Sequence, residues 1–196
     1  MEHLTFLRAA LRQPQLIGAV APSARGLAEQ LAAIVPRRGS PTVVELGPGT
    51  GPVSAVIRGL MPSSGRQLAV EIDPNMVAYL RQRHPWLTVL PGDAATVHTL
   101  LADADVHRVD AVISGLPWSI FPPHRQELML GSICRVLAPI GAFTTFGYLH
   151  AVPMSGARRF RRLLERRFEE VVVTRAVWLN LPPALVYVCR RPIPHG

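Results

Sequence analysis

The chain of 196 residues contains no lysine, only two cysteines and no long uninterrupted apolar run. The lack of lysine leaves arginine as the only fixed cation for a phosphate contact. Cys134 and Cys189 are too few and too far apart for a disulfide scaffold or a zinc cluster. No stretch reaches the ~18 apolar residues of a spanning helix, so we do not expect one.

The composition is that of a folded domain with an excess of positive charge. Hydrophobic residues make up 48% of the chain and charged residues 17%, which excludes a disordered tail protein. The net charge of +8 divides into +3 for residues 1–40, −1 for 41–150 and +6 for 151–196. Basic ends attract an anionic partner, either nucleic acid or the anionic face of a membrane, unless they are only a solvated surface.

Strand and helix patterns alternate along the chain, which predicts an α/β fold with a parallel sheet and helices on both faces. Strands are predicted at 42–46, 68–72, 87–90, 110–114 and 142–148, with a final antiparallel pair at 169–178 and 184–190. Helices are predicted at 2–12, 23–34, 52–60, 74–83, 123–137 and 156–167.

A glycine-rich turn follows the first predicted strand. Glycines at positions 47, 49 and 51 let the backbone turn sharply and approach a ligand closely, so we predict that Gly47, Gly49 and Gly51 bind a cofactor. Their spacing is G-x-G-x-G, unlike the G-x-G-x-x-G of dinucleotide enzymes, and no Gly-Lys-Ser/Thr follows. A phosphate-cradling loop of the nucleoside triphosphatase kind is therefore excluded.

Two acidic residues stand at the ends of the next strands. Glu71 lies 22 positions after Gly49, which suits a carboxylate that accepts from ribose hydroxyls. Asp93, followed by Ala94, ends the third strand and could accept from an adenine amino group. Ile72 could cover the adenine face. Either acid alone could be a simple strand-end cap, but together and in this order they indicate a nucleoside-containing cofactor.

The motifs ELGPGTG, EIDP, GDA and SGLPW, within about residues 40–150, resemble class I S-adenosylmethionine-dependent methyltransferases. The resemblance implies S-adenosyl-L-methionine as cofactor and S-adenosyl-L-homocysteine as product. It also implies a Rossmann-like seven-stranded, mostly parallel sheet with an antiparallel last strand. Matching positions would put Glu45 and Gly47 near the methionine end of the cofactor and Ser114 near the donor sulfur.

Over nearly its whole length, the chain also resembles bacterial phospholipid N-methyltransferases. The matching segments are FLRAALRQPQLIGAVAPSARGLA, SGLPW, FTTFGY and VWLNLPPALVYV. The resemblance implies methylation of the amine of phosphatidylethanolamine by a cytoplasmic protein peripheral to the inner membrane. Residues 1–38 would form a helical membrane or substrate lid, and 39–196 the methyltransferase domain. The family's Phe-Thr-Tyr-Gly order is changed here, since the tyrosine stands at Tyr148, after the glycine.

Two basic helices could contact an anionic membrane surface and the phospholipid substrate. The helix at 2–12 is amphipathic and carries Arg8 and Arg12 on one line. The helix at 156–167 carries six arginines, including Arg158 and Arg162, which could hold phosphate groups bidentately. Its apolar residues Phe160, Leu163, Leu164 and Phe168 would face a core. A solvated outer face explains these arginines equally well.

Methyl transfer requires a neutral amine, so a base or a dry pocket must remove or disfavour its proton. Tyr148, His150 and His124 follow strand ends and are candidate bases. Trp118 could hold an ammonium by cation–π attraction. We predict no metal.

Three other functions remain open on the sequence. The motifs are also similar to ribosomal RNA adenine dimethyltransferases, and the net charge suits RNA. Those enzymes carry Asn-Leu-Pro-Tyr where this chain has Gly115-Leu116-Pro117-Trp118, so the side chain that bonds the target amine is missing. A small-molecule methyltransferase and a non-enzymatic binding module are the remaining alternatives.

Overall fold

The computed structural model describes residues 22–194, which leaves the predicted helix at 2–12 outside the described residues. The strands are β1 (Thr42–Leu46), β2 (Arg66–Glu71), β3 (Thr88–Pro91), β4 (Val109–Ser114), β5 (Leu137–Tyr148), β6 (Phe168–Val173) and β7 (Ala184–Pro192). The helices are α1 (Pro22–Leu31), α2 (Pro52–Leu60), α3 (Pro74–Arg83), α4 (Val97–Asp103), α5 (Pro123–Val136) and α6 (Ser155–Arg167). Among residues 22–194, none of the helices combines the length and the apolar character needed to cross a membrane.

The seven strands of the described range form one sheet in the order β3-β2-β1-β4-β5-β7-β6. The first five pair in parallel, and β7 pairs antiparallel with both β5 and β6. The predicted Rossmann-like sheet with an antiparallel last strand is thereby confirmed. The strand order changes direction between β1 and β4, where open α/β sheets bind their ligands.

Helices cover both faces of the sheet, as predicted. Val43 of β1 packs with Leu31 of α1 and Ile57 of α2, whereas Val44 belongs to the cluster that contains residues of α4, α5 and α6. Because both faces of β1 are covered, its residues 43–46 are all buried instead of alternating between buried and exposed. The predicted core face of α6 is also confirmed, since Phe160, Leu163, Leu164 and Phe168 are all buried.

Two parts of the fold differ from the prediction. Helix α4 was not predicted, because a seven-residue segment spans too few turns for a clear apolar period. Strand β6 ends at Val173 and not at residue 178. There the Thr174 hydroxyl donates to Gln30 Oε1 at 2.8 Å and accepts from the N–H of Val186, which turns the chain out of the ladder. Residues 174–183 therefore form a connection longer than the predicted LNLPP.

Candidate active site at the carboxyl edge of the sheet

The glycine turn after β1 adopts a backbone conformation that favours glycine. Gly47 and Gly49 have φ values of 68° and 56°, in the left-handed region. A Cβ on Gly47 would lie 2.5 Å from Leu116 Cδ2, whereas a Cβ on Gly49 would meet nothing within 4 Å. The turn is thus tight against the β4 side and open at Gly49, where a bound ligand can approach the backbone.

Glu45 is a buried carboxyl group one residue before the end of β1. Its Oε2 accepts a hydrogen bond from the Ser54 hydroxyl at the start of α2. Burial, together with the nearby charge of Glu71 and against the opposing effect of the Ser54 hydrogen bond, raises the pKa of Glu45 to about 7. The group therefore changes its charge near neutral pH, and a cation bound beside it would favour the ionised form.

Glu71 ends β2 and is also buried. Its Oε1 accepts from the backbone N–H groups of Ile72 at 2.8 Å and Asp73 at 2.9 Å. Burial raises the pKa of this carboxyl, while these two N–H groups and that of Gly49 act in the opposite direction. A carboxylate offers about four lone-pair sites, so Glu71 keeps the capacity to accept from a ligand hydroxyl. Half-buried Ile72 lies next to it, and its contact with an adenine ring remains a prediction.

Asp93 follows β3 and has a partner that the sequence did not reveal. Its Oδ1 and Oδ2 accept from Nη2 of Arg125 at 2.9 and 2.8 Å, and Oδ1 also accepts from the N–H of Ala95. Arg125 lies in the first turn of α5, with its guanidinium 5.6 Å from the Phe121 ring centre. No sequence signal links positions 93 and 125, since only the tertiary fold brings them together. Ala94 is buried next to Asp93.

Ser114 and Trp118 form an internal hydrogen bond at the end of β4. The Trp118 indole N–H donates to Ser114 Oγ at 3.0 Å, and both side chains are buried. The Trp118 ring stacks on Phe160 with a centroid distance of 4.7 Å and meets Phe143 edge-on. The predicted role of Trp118 as a ring that receives an ammonium does not fit this placement, because the ring is only 1% exposed. Trp118 instead packs in the hydrophobic core next to the end of β4.

Gly115 lies close against the turn that follows β1. A Cβ at this position would lie 2.8 Å from the carbonyl oxygen of Gly47. Since this neighbour is backbone, a side chain here would force the two turns apart. The absence of asparagine at position 115 is therefore a packing requirement of this backbone as well as a departure from the ribosomal RNA enzymes.

Tyr148 and His150 lie together after the carboxyl end of β5. Their rings stack with a centroid distance of 5.7 Å, and Phe146 meets Tyr148 edge-on at 5.3 Å. Burial raises the pKa of Tyr148, so its hydroxyl is neutral at physiological pH and is not a strong base there. His150 is exposed, and exposed His124 lies at the start of α5. The catalytic roles of Tyr148 and His150 remain predictions.

Two of the four arginines predicted to face a membrane lie within the residues that the structure describes. Arg158 and Arg162 lie on the exposed side of α6, and Arg158 Nη1 donates to the carbonyl oxygen of Pro153 at 2.8 Å. Arg8 and Arg12 lie outside the described residues, as does most of the predicted 1–38 lid. Within residues 22–194, no group of three or more His, Cys, Asp or Glu side chains could hold a metal ion.

Comparison with known proteins identifies the class that this fold and site define. Residues 43–141 match the family described as a methyltransferase domain. The fold is similar to that of the N-methyltransferase NodS from Bradyrhizobium japonicum WM9, solved in complex with S-adenosyl-L-homocysteine. The TM-score is 0.72 at 15% identity, covering 96% of this chain and 98% of that one. The chain belongs to the class I S-adenosylmethionine-dependent methyltransferases.

Two curated relatives narrow the placement within this class. The chain is 32% identical over 188 residues to ornithine lipid N-methyltransferase of Singulisphaera acidiphila, with 94% of each chain covered. It is 34% identical over 83 residues to ribosomal RNA small subunit methyltransferase A of Chlorobaculum parvum, covering 41% of this chain and 28% of that enzyme. Over nearly its whole length, the chain is therefore a relative of a lipid N-methyltransferase.

The described residues fit S-adenosyl-L-methionine, the cofactor of this class. The backbone at Gly49 faces open space, and Glu71 keeps free acceptor capacity beside it. Ionised Glu45 would suit the cationic methionine end, and Asp93 Oδ2 retains a lone pair for an amino group. When bound, the cofactor supplies a methyl group on a positively charged sulfur.

Proposed function

We propose that this protein is a phospholipid N-methyltransferase that methylates the amine of phosphatidylethanolamine. The likeness to ornithine lipid N-methyltransferase over 94% of both chains supports lipid N-methylation. The choice of a phosphate-bearing headgroup rests on the exposed arginines of α6. We further propose that the protein works at the cytoplasmic face of the inner membrane without spanning it.

The acceptor amine must reach the site with a free lone pair. An unperturbed primary amine of the lysine type has a pKa of about 10.4, so it arrives protonated in neutral solution. An apolar environment lowers such a pKa, and His150 is a candidate to take the proton. Tyr148, as a neutral phenol, would orient the amine by hydrogen bonding. Methyl transfer then depends mainly on proximity and alignment, which the carboxyl-edge turns provide.

The charge of α6 supports a phospholipid acceptor over an uncharged small molecule. Arg158, Arg159 and Arg162 are exposed on this helix, and arginine binds phosphate oxygens bidentately. In phosphatidylethanolamine the amine lies two carbons from a phosphate group. An arginine that held this phosphate would therefore fix the amine nearby.

The test compares acceptors in transfer reactions with labelled S-adenosyl-L-methionine. Phosphatidylethanolamine vesicles, ornithine lipid vesicles and total RNA would be supplied separately and the label traced to each. We expect the fastest transfer to phosphatidylethanolamine. Label found in ornithine lipid alone would keep the lipid class but overturn the headgroup, and label found in RNA alone would overturn both.

An RNA adenine methyltransferase is the second candidate. The partial match to ribosomal RNA small subunit methyltransferase A and the net charge of +8 favour it. The contact of Gly115 with Gly47 opposes it, because no asparagine fits there without a backbone shift. RNA binding that falls steeply with salt, together with methylated adenine, would establish this alternative.

A further inference from the structure

Five large apolar side chains are exposed at the carboxyl edge of the sheet, on the side of β4, β5 and β7. Trp178, Leu179 and Leu181 are 69%, 75% and 74% exposed, and Met154 and Ile120 are 57% and 41% exposed. We call these five residues the edge patch. Exposed apolar groups gathered on one side of a protein indicate an interaction surface.

The three segments that carry the edge patch are packed against one another. The N–H of Leu149, which begins the segment leading to Met154, donates to the carbonyl oxygen of Pro183 at 2.8 Å. A Cβ on Gly156 would lie 3.1 Å from the carbonyl oxygen of Ser119, next to Ile120. The patch is therefore a single surface and not a set of scattered side chains.

The loop that carries Trp178 is held in place by its own polar contacts. Val177 donates its N–H to the carbonyl oxygen of Ala184 at 2.7 Å, and Thr174 is bonded to Gln30 of α1. Buried Asn180 donates through Nδ2 to the carbonyl oxygen of Pro182 at 2.6 Å. With Asn180 turned inward, Trp178, Leu179 and Leu181 remain exposed on an ordered loop.

The three segments that carry the edge patch have an excess of positive charge. Residues 115–125, 148–162 and 174–184 contain no aspartate or glutamate. They contain six arginines: Arg125, Arg158, Arg159, Arg161, Arg162 and Arg175. Arg125 and Arg161 are ion-paired with Asp93 and Glu165, so the excess positive charge is carried by Arg158, Arg159, Arg162 and Arg175. Exposed tryptophan and leucine surrounded by arginine suit the boundary between acyl chains and anionic headgroups. A protein partner whose surface carries both positive and negative charges would be expected to face acidic residues of this chain as well.

We propose that the edge patch docks on an anionic lipid surface, with Trp178 and Leu179 inserted at the headgroup boundary. The carboxyl edge, with the cofactor site, then faces the plane in which a lipid amine lies. The purpose of docking rests on the proposed lipid N-methyltransferase function, but docking itself requires no methyl transfer.

The test measures vesicle binding without acceptor or cofactor. Full-length protein would be sedimented with phosphatidylglycerol–phosphatidylcholine vesicles, comparing wild type with the double variant Trp178→Ser/Leu179→Ser. The matched control is Leu128→Ser/Ile140→Ser, which removes apolar groups 63% and 85% exposed on α5 and at the start of β5. We expect the edge variant to lose about tenfold or more in vesicle affinity, while the control changes less than about twofold. Retained S-adenosyl-L-methionine binding would establish that both variants are folded.

A second readout locates the inserted residue. Brominated lipids should quench the fluorescence of wild type, and Trp178→Phe should keep vesicle binding but lose most of that quenching. Equal vesicle binding by wild type and the edge variant would overturn the proposal, as would absence of Trp178 quenching. A wild-type dimer that the edge variant abolishes, without any vesicle binding, would instead assign the patch to a second copy of the chain.

Docking and catalysis fail in distinguishable ways. Vesicle binding that depends on the patch, without methylation of phosphatidylethanolamine, would leave docking intact and reject the proposed function. Methylation of vesicle phosphatidylethanolamine at equal rates by wild type and the edge variant would support the proposed function and reject docking through the edge patch.

Discussion

The two halves of the carboxyl edge have opposite chemistry. The ends of β1, β2 and β3 carry Glu45, Glu71 and Asp93, each fixed by hydrogen bonds from a side chain or from backbone N–H groups. The segments after β4 and β5 and before β7 carry arginines, exposed apolar groups and no acids. One half is thus suited to a cationic, polar cofactor and the other to an apolar, anionic surface, so a single edge can bring the two together.

The difference follows from the length of the turns. The turns after β1, β2 and β3 are short. Nearby backbone N–H groups therefore reach Glu71 and Asp93, and the Ser54 hydroxyl at the start of α2 reaches Glu45. The connections after β4 and β5 and before β7 are longer and present side chains that the sheet does not cover. Arg125 joins the halves, since it lies on α5 and bonds Asp93.

We call the ends of β1, β2 and β3 the acidic half of the carboxyl edge and the other half the basic half. The largest effect should come from the buried carboxyl group of Glu45 in the acidic half. The folded-state pKa of Glu45 is raised from 4.5 to about 7, so the folded protein binds more protons than the unfolded chain between these values. Stability from this group is present at low pH and is lost as pH rises. Between pH 5 and pH 8, wild type should lose about 2.5 kcal/mol more unfolding free energy than Glu45→Gln.

Urea denaturation at several pH values would measure this difference. Glu127→Gln, at an exposed position on α5, is the control and should follow the wild-type curve. Identical pH curves for wild type and Glu45→Gln would mean that Glu45 does not carry the raised pKa.

The next effect concerns cofactor recognition at β2. Glu71→Gln keeps an acceptor for the backbone N–H groups but loses the charge, so S-adenosyl-L-methionine should bind about 50-fold more weakly. Calorimetric titration measures the affinity, and Glu127→Gln again serves as control. An unchanged affinity would remove Glu71 from the site.

A smaller effect is expected from alanine substitution in the glycine turn, where a control glycine distinguishes the cost of backbone strain from the loss of a cofactor contact. Gly49 and Gly39 both have positive φ, and a Cβ on either meets nothing within 4 Å. Alanine at either position should cost about 1–2 kcal/mol of stability from strain alone. Only Gly49→Ala should also weaken cofactor affinity, by about tenfold. Equal affinities in the two variants, measured by titration, would place the cofactor away from this turn.

The smallest effect tests the ion pair that joins the two halves. A double-mutant cycle of Arg125→Ala and Asp93→Ala, followed by urea denaturation, should give a coupling of about 1 kcal/mol that weakens with salt. The comparison pair is Arg161–Glu165 on α6, which is more exposed and should couple by about 0.3–0.5 kcal/mol. If the Arg125–Asp93 coupling is no larger than that of the α6 pair, this contact does not hold the halves together.

The acidic half was largely predictable from the sequence. The glycine turn and the acids at the ends of β2 and β3 depend on spacing within one strand-turn unit, which local sequence specifies. The basic half was predicted less well. Trp118 was expected to face a substrate and is instead buried against Phe160, a residue 42 positions away on α6. Arg125 was missed because its partner lies on a different unit.

The sequence by itself determined most of the strands and helices in their order and a nucleoside-containing cofactor, because periodicity and turn chemistry act over a few residues. The resemblance to class I methyltransferases implied S-adenosylmethionine and the antiparallel last strand of the sheet. Tertiary structure alone decided which side chains face outward at the carboxyl edge. Trp118 and Trp178 have similar local contexts of apolar and small polar residues, yet one is covered by aromatic rings and the other is exposed. Burial depends on which distant elements pack over a side chain, and that information is distributed over the whole fold.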